Sequence, residues 1–293
     1  GLARRLPARR RVPPGARLQV SRRRAVVVLS GGGAKGAAHI GAARALAEHD
    51  IEVVHWIGTS MGAVIAAALA SGTPHEVILE RFLAVKREDV LAPDRVALFR
   101  GIWAKALLKP EPFRRAIAEF MPVQTFAELV TPCTITAVDV QTGKEVAFGT
   151  GGIDAPLVDA VVASCALPPW FPPAMVHGRG YYDGGLRAVM PLPFAAGIAC
   201  DLVVAIHTGP GFDEQGEVVS VPPPFVAATD TAIGWLMASN TELMREQWLA
   251  TPGAPPLVWV RPTSDRGATF AMERIPKYAD LGYVETRKAL DAL

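Results

Sequence analysis

Along the chain, short apolar runs alternate with stretches in which small and apolar residues recur at helical spacing. Ala25 to Leu29 (AVVVL) is continuously apolar, as a strand covered on both faces must be. Gly36 to His49 (GAAHIGAARALAEH) then repeats apolar positions with a helical period and puts Arg44, Glu48 and His49 on its wetter side. Val53 to Ile57 (VVHWI) reads as the next strand, and Gly62 to Ser71 as the next helix. Strand, helix, strand, helix in that order predicts parallel strands joined by right-handed crossovers, hence a layered α/β domain.

Arg81 to Val123 breaks this pattern. It is charged, punctuated by proline, mostly helical and without strand signals, which predicts an inserted helical cap over about 81–123. Its apolar residues Leu98, Phe99, Ile102, Trp103, Leu107 and Leu108 either pack into the core, the more ordinary use of that spacing, or line a route for an acyl chain. Beta structure resumes at Thr134 to Val140 and turns through Gln141-Thr142-Gly143-Lys144 into Glu145 to Phe148, a hairpin signature. A proline-rich stretch at Ala166 to Pro173 precedes a second hairpin around His177-Gly178-Arg179-Gly180. Leu202 to Ile206 is another buried strand, Gly209 to Pro224 a linker-like segment, and Asp280 to Leu293 an amphipathic helix.

With 293 residues, half of them hydrophobic, the chain can form one large domain or two small ones around a substantial core. The longest uninterrupted small or apolar run, Gly62 to Ala70, is about half of the roughly 20 residues a membrane-spanning helix needs. Cys133, Cys165 and Cys200 are widely spaced, with no paired spacing that suits a metal; they read as reduced thiols of a cytoplasmic protein, and neither metal nor cofactor is expected. The net charge of +2 conceals an asymmetry: residues 1–24 carry nine arginines and no acid, leaving 21 basic against 28 acidic residues beyond them. That arm reads as a solvated, flexible tail with no secretory apolar run behind it, or, on a sharper reading, as an electrostatic anchor to an anionic lipid surface.

The candidate chemistry lies in the turns. Gly31, Gly33 and Gly36 satisfy a dinucleotide fingerprint between a strand and a helix, but that reading demands an acid at the end of the next strand. VVHWI instead runs into Gly58-Thr59-Ser60-Met61-Gly62, and Asp50 and Glu52 stand at its other end. Lys35 is followed by Gly36 and Ala37, which excludes a Walker loop; it either attracts a phosphate headgroup or is a solvated residue at a helix start. GTSMG is a GxSxG, the turn that presents a serine hydroxyl at the carboxyl end of a sheet. The glycine loop leaves the neighbouring strand at the same edge, so the N–H groups of Gly32 and Gly33 are placed to face a carbonyl that Ser60 attacks. The base is either Asp183 itself, freed by Gly184 and Gly185, or His207, which completes the chain order Ser60, Asp183, His207 of an α/β-hydrolase triad.

GGGAKG at 31–36, GTSMG at 58–62, ASCALPPWFPP at 163–173 and DGG at 183–185 together resemble the patatin-like phospholipases, particularly bacterial members similar to neuropathy target esterase. The resemblance covers about residues 25–207. It implies a three-layer α/β/α sandwich with a mainly parallel central sheet, a serine–aspartate dyad without a histidine, and no cofactor. By that resemblance Ser60 is the nucleophile, Asp183 the base, and Gly31, Gly32 and Gly33 the oxyanion hole. The expected partner is a lipid or acyl ester, with peripheral contact to a membrane surface and no nucleic acid.

Overall fold

The computed structural model describes residues 22–95, 100, 106–215, 224–267 and 270–293. Most of the basic arm, and the cap residues Leu98, Phe99, Ile102 and Trp103, lie outside these. Apart from single helical turns, the described elements are β1 (Arg24–Leu29), α1 (Ala37–Glu48), β2 (Glu52–Thr59), α2 (Met61–Ala70), α3 (His75–Ala84), α4 (Pro110–Phe120), β3 (Cys133–Asp139), β4 (Glu145–Gly149), α5 (Leu157–Ser164), β5 (Ala174–Val176), β6 (Arg179–Asp183), β7 (Leu202–Ile206), α6 (Pro224–Ala250), β8 (Leu257–Val260) and α7 (Ile275–Asp291).

One sheet runs β5-β6-β3-β2-β1-β7-β8, with β4 also paired to β3. The five strands from β3 to β8 are mutually parallel. On β1 the side chains alternate between two cores, as strand geometry requires. Ala25, Val27 and Leu29 pack with α1, α2, α5 and α7 on one face, whereas Val26 and Val28 pack with Met190, Leu192 and Trp248 on the other. The continuous apolar run therefore reflects a sheet covered on both sides, and the three-layer sandwich stands.

The antiparallel end of the sheet positions the site. Thr136 pairs with Ala147 of β4 and Thr59 of β2, so these two strands lie on opposite edges of β3. Ala137 pairs with Val146 of β4 and Asp183 of β6, again on opposite edges. Hence β2 and β6 share one edge of β3 and approach each other from opposite directions. β2 ends at Thr59 and β6 ends at Asp183, on consecutive residues of β3.

The sequence reading missed α6 and β8 and started the terminal helix late. Within 81–123, where a cap is expected, the described residues include the end of α3 and all of α4; Leu108 is buried, and the Leu107 and Leu108 amides donate to the carbonyls of Pro169 and Trp170 at 3.0 and 2.9 Å. No helix among the described residues is long and apolar enough to cross a membrane.

Candidate active site

Because β1 and β2 are parallel neighbours, the turns that leave them open on the same edge of the sheet. Ser60 occupies the second turn with φ +54° and ψ −125°, a conformation that costs a non-glycine residue on the order of 1–3 kcal/mol. The flanking glycines are there for room. A Cβ on Gly58 would stand 2.5 Å from the Gly62 carbonyl oxygen, and one on Gly62 would stand 2.1 Å from that of Leu29. The strained turn is held by its neighbours: the Ser60 amide donates to Ser164 Oγ at 2.8 Å, and the Ser60 carbonyl accepts from the Ala63 and Val64 amides at 2.9 and 3.3 Å.

Asp183 arrives from the other direction along β3. Its amide donates to the Ala166 carbonyl at 3.0 Å, and its Oδ1 accepts the Gly185 amide at 2.7 Å. The Ser60 hydroxyl stands beside this carboxylate and favours its charged form, and the Cys165 thiol is in polar contact with the Ser60 side chain. Burial raises the Asp183 pKa to about 7, against the opposing pull of the bonds from Ser60 and Gly185. Burial also drives the Cys165 thiol well above its ordinary range, with the neighbouring Asp183 charge adding to the effect. The structure thus brings Ser60 and Asp183 together at one point.

Ser60 and Asp183 open into a cavity of about 190 Å³ whose wall also includes Gly31, Gly32 and Gly33. Phe82 of α3, Phe113 and Phe120 of α4, Trp170, Phe171 and Met237 of α6 make most of it apolar, and Asp183 is the only charged side chain among its described lining residues. Within the glycine loop the three residues differ. The Gly31 amide donates to the Val189 carbonyl at 3.2 Å, which leaves Gly31 no N–H to offer a substrate and corrects the expectation that it joins an oxyanion hole. The amides of Gly32 and Gly33 have no partner among the described residues. Gly33 has φ +56°, which lets the loop curl into the helical turn Gly33–Gly36.

His207 stands outside this arrangement. It is buried against Trp259, with ring centroids 5.3 Å apart, and is absent from the cavity wall. Its Nε2 has no partner among the described residues. Burial, then the Arg261 and Lys35 charges, hold its pKa well below the ordinary value. The triad order legible in the sequence is therefore not assembled in space. Lys35 is likewise neither solvated nor available to a headgroup: it is 4% exposed, with Nζ on Glu214 at 3.0 Å and on the Asp265 carbonyl at 3.1 Å.

Sequence reasoning overlooked Ser164, Cys165 and Ala166, which stitch the two halves of the site together. The signal was present, since they belong to the ASCALPPWFPP block, but no local pattern says which groups such a block touches. Met237 had no signal, because α6 itself went unread.

Residues 27–196 match the patatin-like phospholipase family, and the chain belongs to it. It is 32% identical over 202 residues to an NTE family protein of Mycobacterium tuberculosis, a match spanning 67% of this chain and 54% of that one. A patatin-like phospholipase domain-containing protein of Caenorhabditis elegans is 28% identical over 185 residues, 62% of this chain and 13% of the other. The chain thus spans about half the length of the mycobacterial relative, and far less of the nematode one. Among solved structures, VipD from Legionella pneumophila aligns with a TM-score of 0.48 at 16% identity, over 92% of this chain and 67% of that one.

Proposed function

We propose that the chain is a serine lipid acyl hydrolase that cleaves carboxylic esters through an acyl-enzyme on Ser60. The observation that carries this reading is a serine on a strained turn that shares the wall of an apolar cavity with a buried aspartate. Asp183 accepts the Ser60 proton as the hydroxyl attacks the ester carbonyl. The amides of Gly32 and Gly33 stabilise the oxyanion, and the alcohol leaves with the proton returned by Asp183. Asp183 then takes a proton from water as it attacks the acyl-enzyme, and returns that proton to Ser60 Oγ as the acyl–serine bond breaks and the acid leaves. A pKa near 7 suits a group that must both take and give a proton near neutrality. The apolar wall supports an acyl chain as the bound part of the substrate, so the proposed class comprises phospholipids, lysophospholipids and simpler acyl esters.

Covalent labelling by a fluorophosphonate, lost in Ser60→Ala, tests the nucleophile. For the base, turnover of a short p-nitrophenyl ester is expected to collapse in Asp183→Asn and to persist in His207→Ala; the reverse result overturns the dyad. The arginine-rich segment supports a second, separable proposal, that it tethers the protein to anionic lipid. Deleting residues 1–21 is then expected to weaken low-salt binding to anionic vesicles while ester turnover in solution is retained, and unchanged binding removes the idea.

A further inference from the structure

Behind the glycine loop lies a buried polar cluster that the proposed chemistry does not touch. Ser30, His39 and Thr208 are each fully buried. Ser30 Oγ donates to the Gly31 carbonyl at 2.9 Å, and Thr208 Oγ1 donates to the same oxygen at 3.3 Å. The Thr208 amide donates to Ser30 Oγ at 2.8 Å, which uses the acceptor side of that hydroxyl. His39 Nε2 bonds the Ser30 carbonyl at 2.8 Å. Burial lowers the His39 pKa to about 4, so the ring is neutral at pH 7 and its single N–H goes to that carbonyl.

In a trans peptide the carbonyl and the following N–H point in opposite directions within one plane. Two hydroxyls hold the Gly31 carbonyl on the Thr208 side, so the Gly32 N–H is turned the other way. Gly31, Gly32 and Ser60 all line the cavity, and a Cβ on Gly31 would stand 3.2 Å from Ser60 Cβ. Thr208 also lies directly against Gly32, since a Cβ there would stand 2.5 Å from Thr208 Oγ1.

We propose that Thr208, together with Ser30 and with His39 behind it, is a positioning residue that fixes the Gly31–Gly32 peptide so that the Gly32 N–H faces the reacting carbonyl. This rests on the hydrolase reading above. The set acts through the loop and touches no substrate atom; its contribution is orientation, where misplacement by about 1 Å can cost on the order of a hundredfold in rate. Neutral His39 matters because a charged ring would have to be solvated where no water-facing surface exists.

The test uses the full chain with Thr208→Val, Thr208→Ser and Ser30→Ala, each assayed on a soluble ester and with a trifluoromethyl ketone, which forms a tetrahedral oxyanion on a serine. Thr208→Val is expected to lower kcat by about tenfold or more, leave KM within about twofold, and weaken the ketone by the same factor as kcat/KM. Thr208→Ser restores both, and Ser30→Ala shows the same paired losses to a smaller extent. If Thr208→Val leaves kcat and ketone affinity unchanged, or if Thr208→Ser is as impaired as Thr208→Val, the hydroxyl does not orient the loop. A loss of active fraction alone lowers kcat without weakening the ketone, and that outcome also overturns the proposal. The wild-type protein separates the two levels: failure to hydrolyse any ester or to take the fluorophosphonate sinks the hydrolase reading and this proposal with it.

Discussion

The turns after β1 and β2 leave adjacent parallel strands at the same edge and feed helices on the same face, yet they are built on opposite principles. The turn at Ser60 stores strain in a residue with a side chain, and its glycines exist to let backbones approach. The turn at Gly31 to Gly33 offers no side chain. Its first amide is consumed by Val189, its first carbonyl is pinned by two hydroxyls, and its next two amides have no partner among the described residues. In the proposed mechanism one turn delivers an atom and the other delivers a field, and the difference teaches where each can be broken.

The sharpest break is at Ser60. Ser60→Gly is expected to lower turnover on the order of a millionfold, while relieving the positive φ and raising stability by about 1 kcal/mol. Denaturant unfolding alongside the ester assay reads both numbers, and a loss of stability would mean the turn is not strained. Asp183→Asn comes next, with turnover down about a thousandfold and a stability gain that depends on pH. The carboxyl titrates near 7 in the fold and near 3.8 as a free group. Between those values the unfolded chain has released a proton that the folded chain keeps, so stability falls as pH climbs from about 4 to 7 and stays lower above that. The asparagine is therefore expected to be more stable at pH 8 by up to about 4 kcal/mol, with no gain below about pH 4. In the wild type, kcat/KM should rise with pH towards a plateau above about 7, as the carboxylate forms.

On the other turn, Gly33→Ala is expected to cost about 1–2 kcal/mol of stability through its φ of +56°, together with about a tenfold loss of kcat. Gly32→Ala is not an equivalent probe, although both glycines read alike in the sequence. Its Cβ would stand 2.6 Å from the Thr208 carbonyl oxygen, so rate and stability should fall together. The smallest effect is expected at His207→Leu, with turnover within about threefold of wild type, because the ring meets neither turn.

What was legible in the sequence follows from locality. AVVVL, GTSMG and the hairpin turn at Gln141 to Lys144 each declare their structure within a few residues, because a buried strand, a strained turn and a reversal constrain their own composition. The α6 helix did not declare itself. Trp235, Leu236, Leu243 and Leu249 are exposed on it while Met237, Ala238 and Trp248 are buried, so its apolar residues trace no single stripe. β8 is four residues long and follows a proline-rich stretch. At the site, Ser60 and Asp183 could be named from motifs, but the loss of the Gly31 amide to Val189 and the isolation of His207 depend on residues distant in sequence.

The end-to-end meeting of β2 and β6 along one edge of β3 has a consequence for how the protein acquires activity. Residues up to the end of α2 contain β1, α1, β2 and Ser60, but Asp183 joins Ser60 only when β6 docks. That docking pairs strands remote in the chain, which is intrinsically the slower kind of event. If the dyad proposal holds, the return of ester turnover in refolding should therefore lag the burial of Trp56 in β2, and the lag times the arrival of a strand remote from Ser60 in the chain.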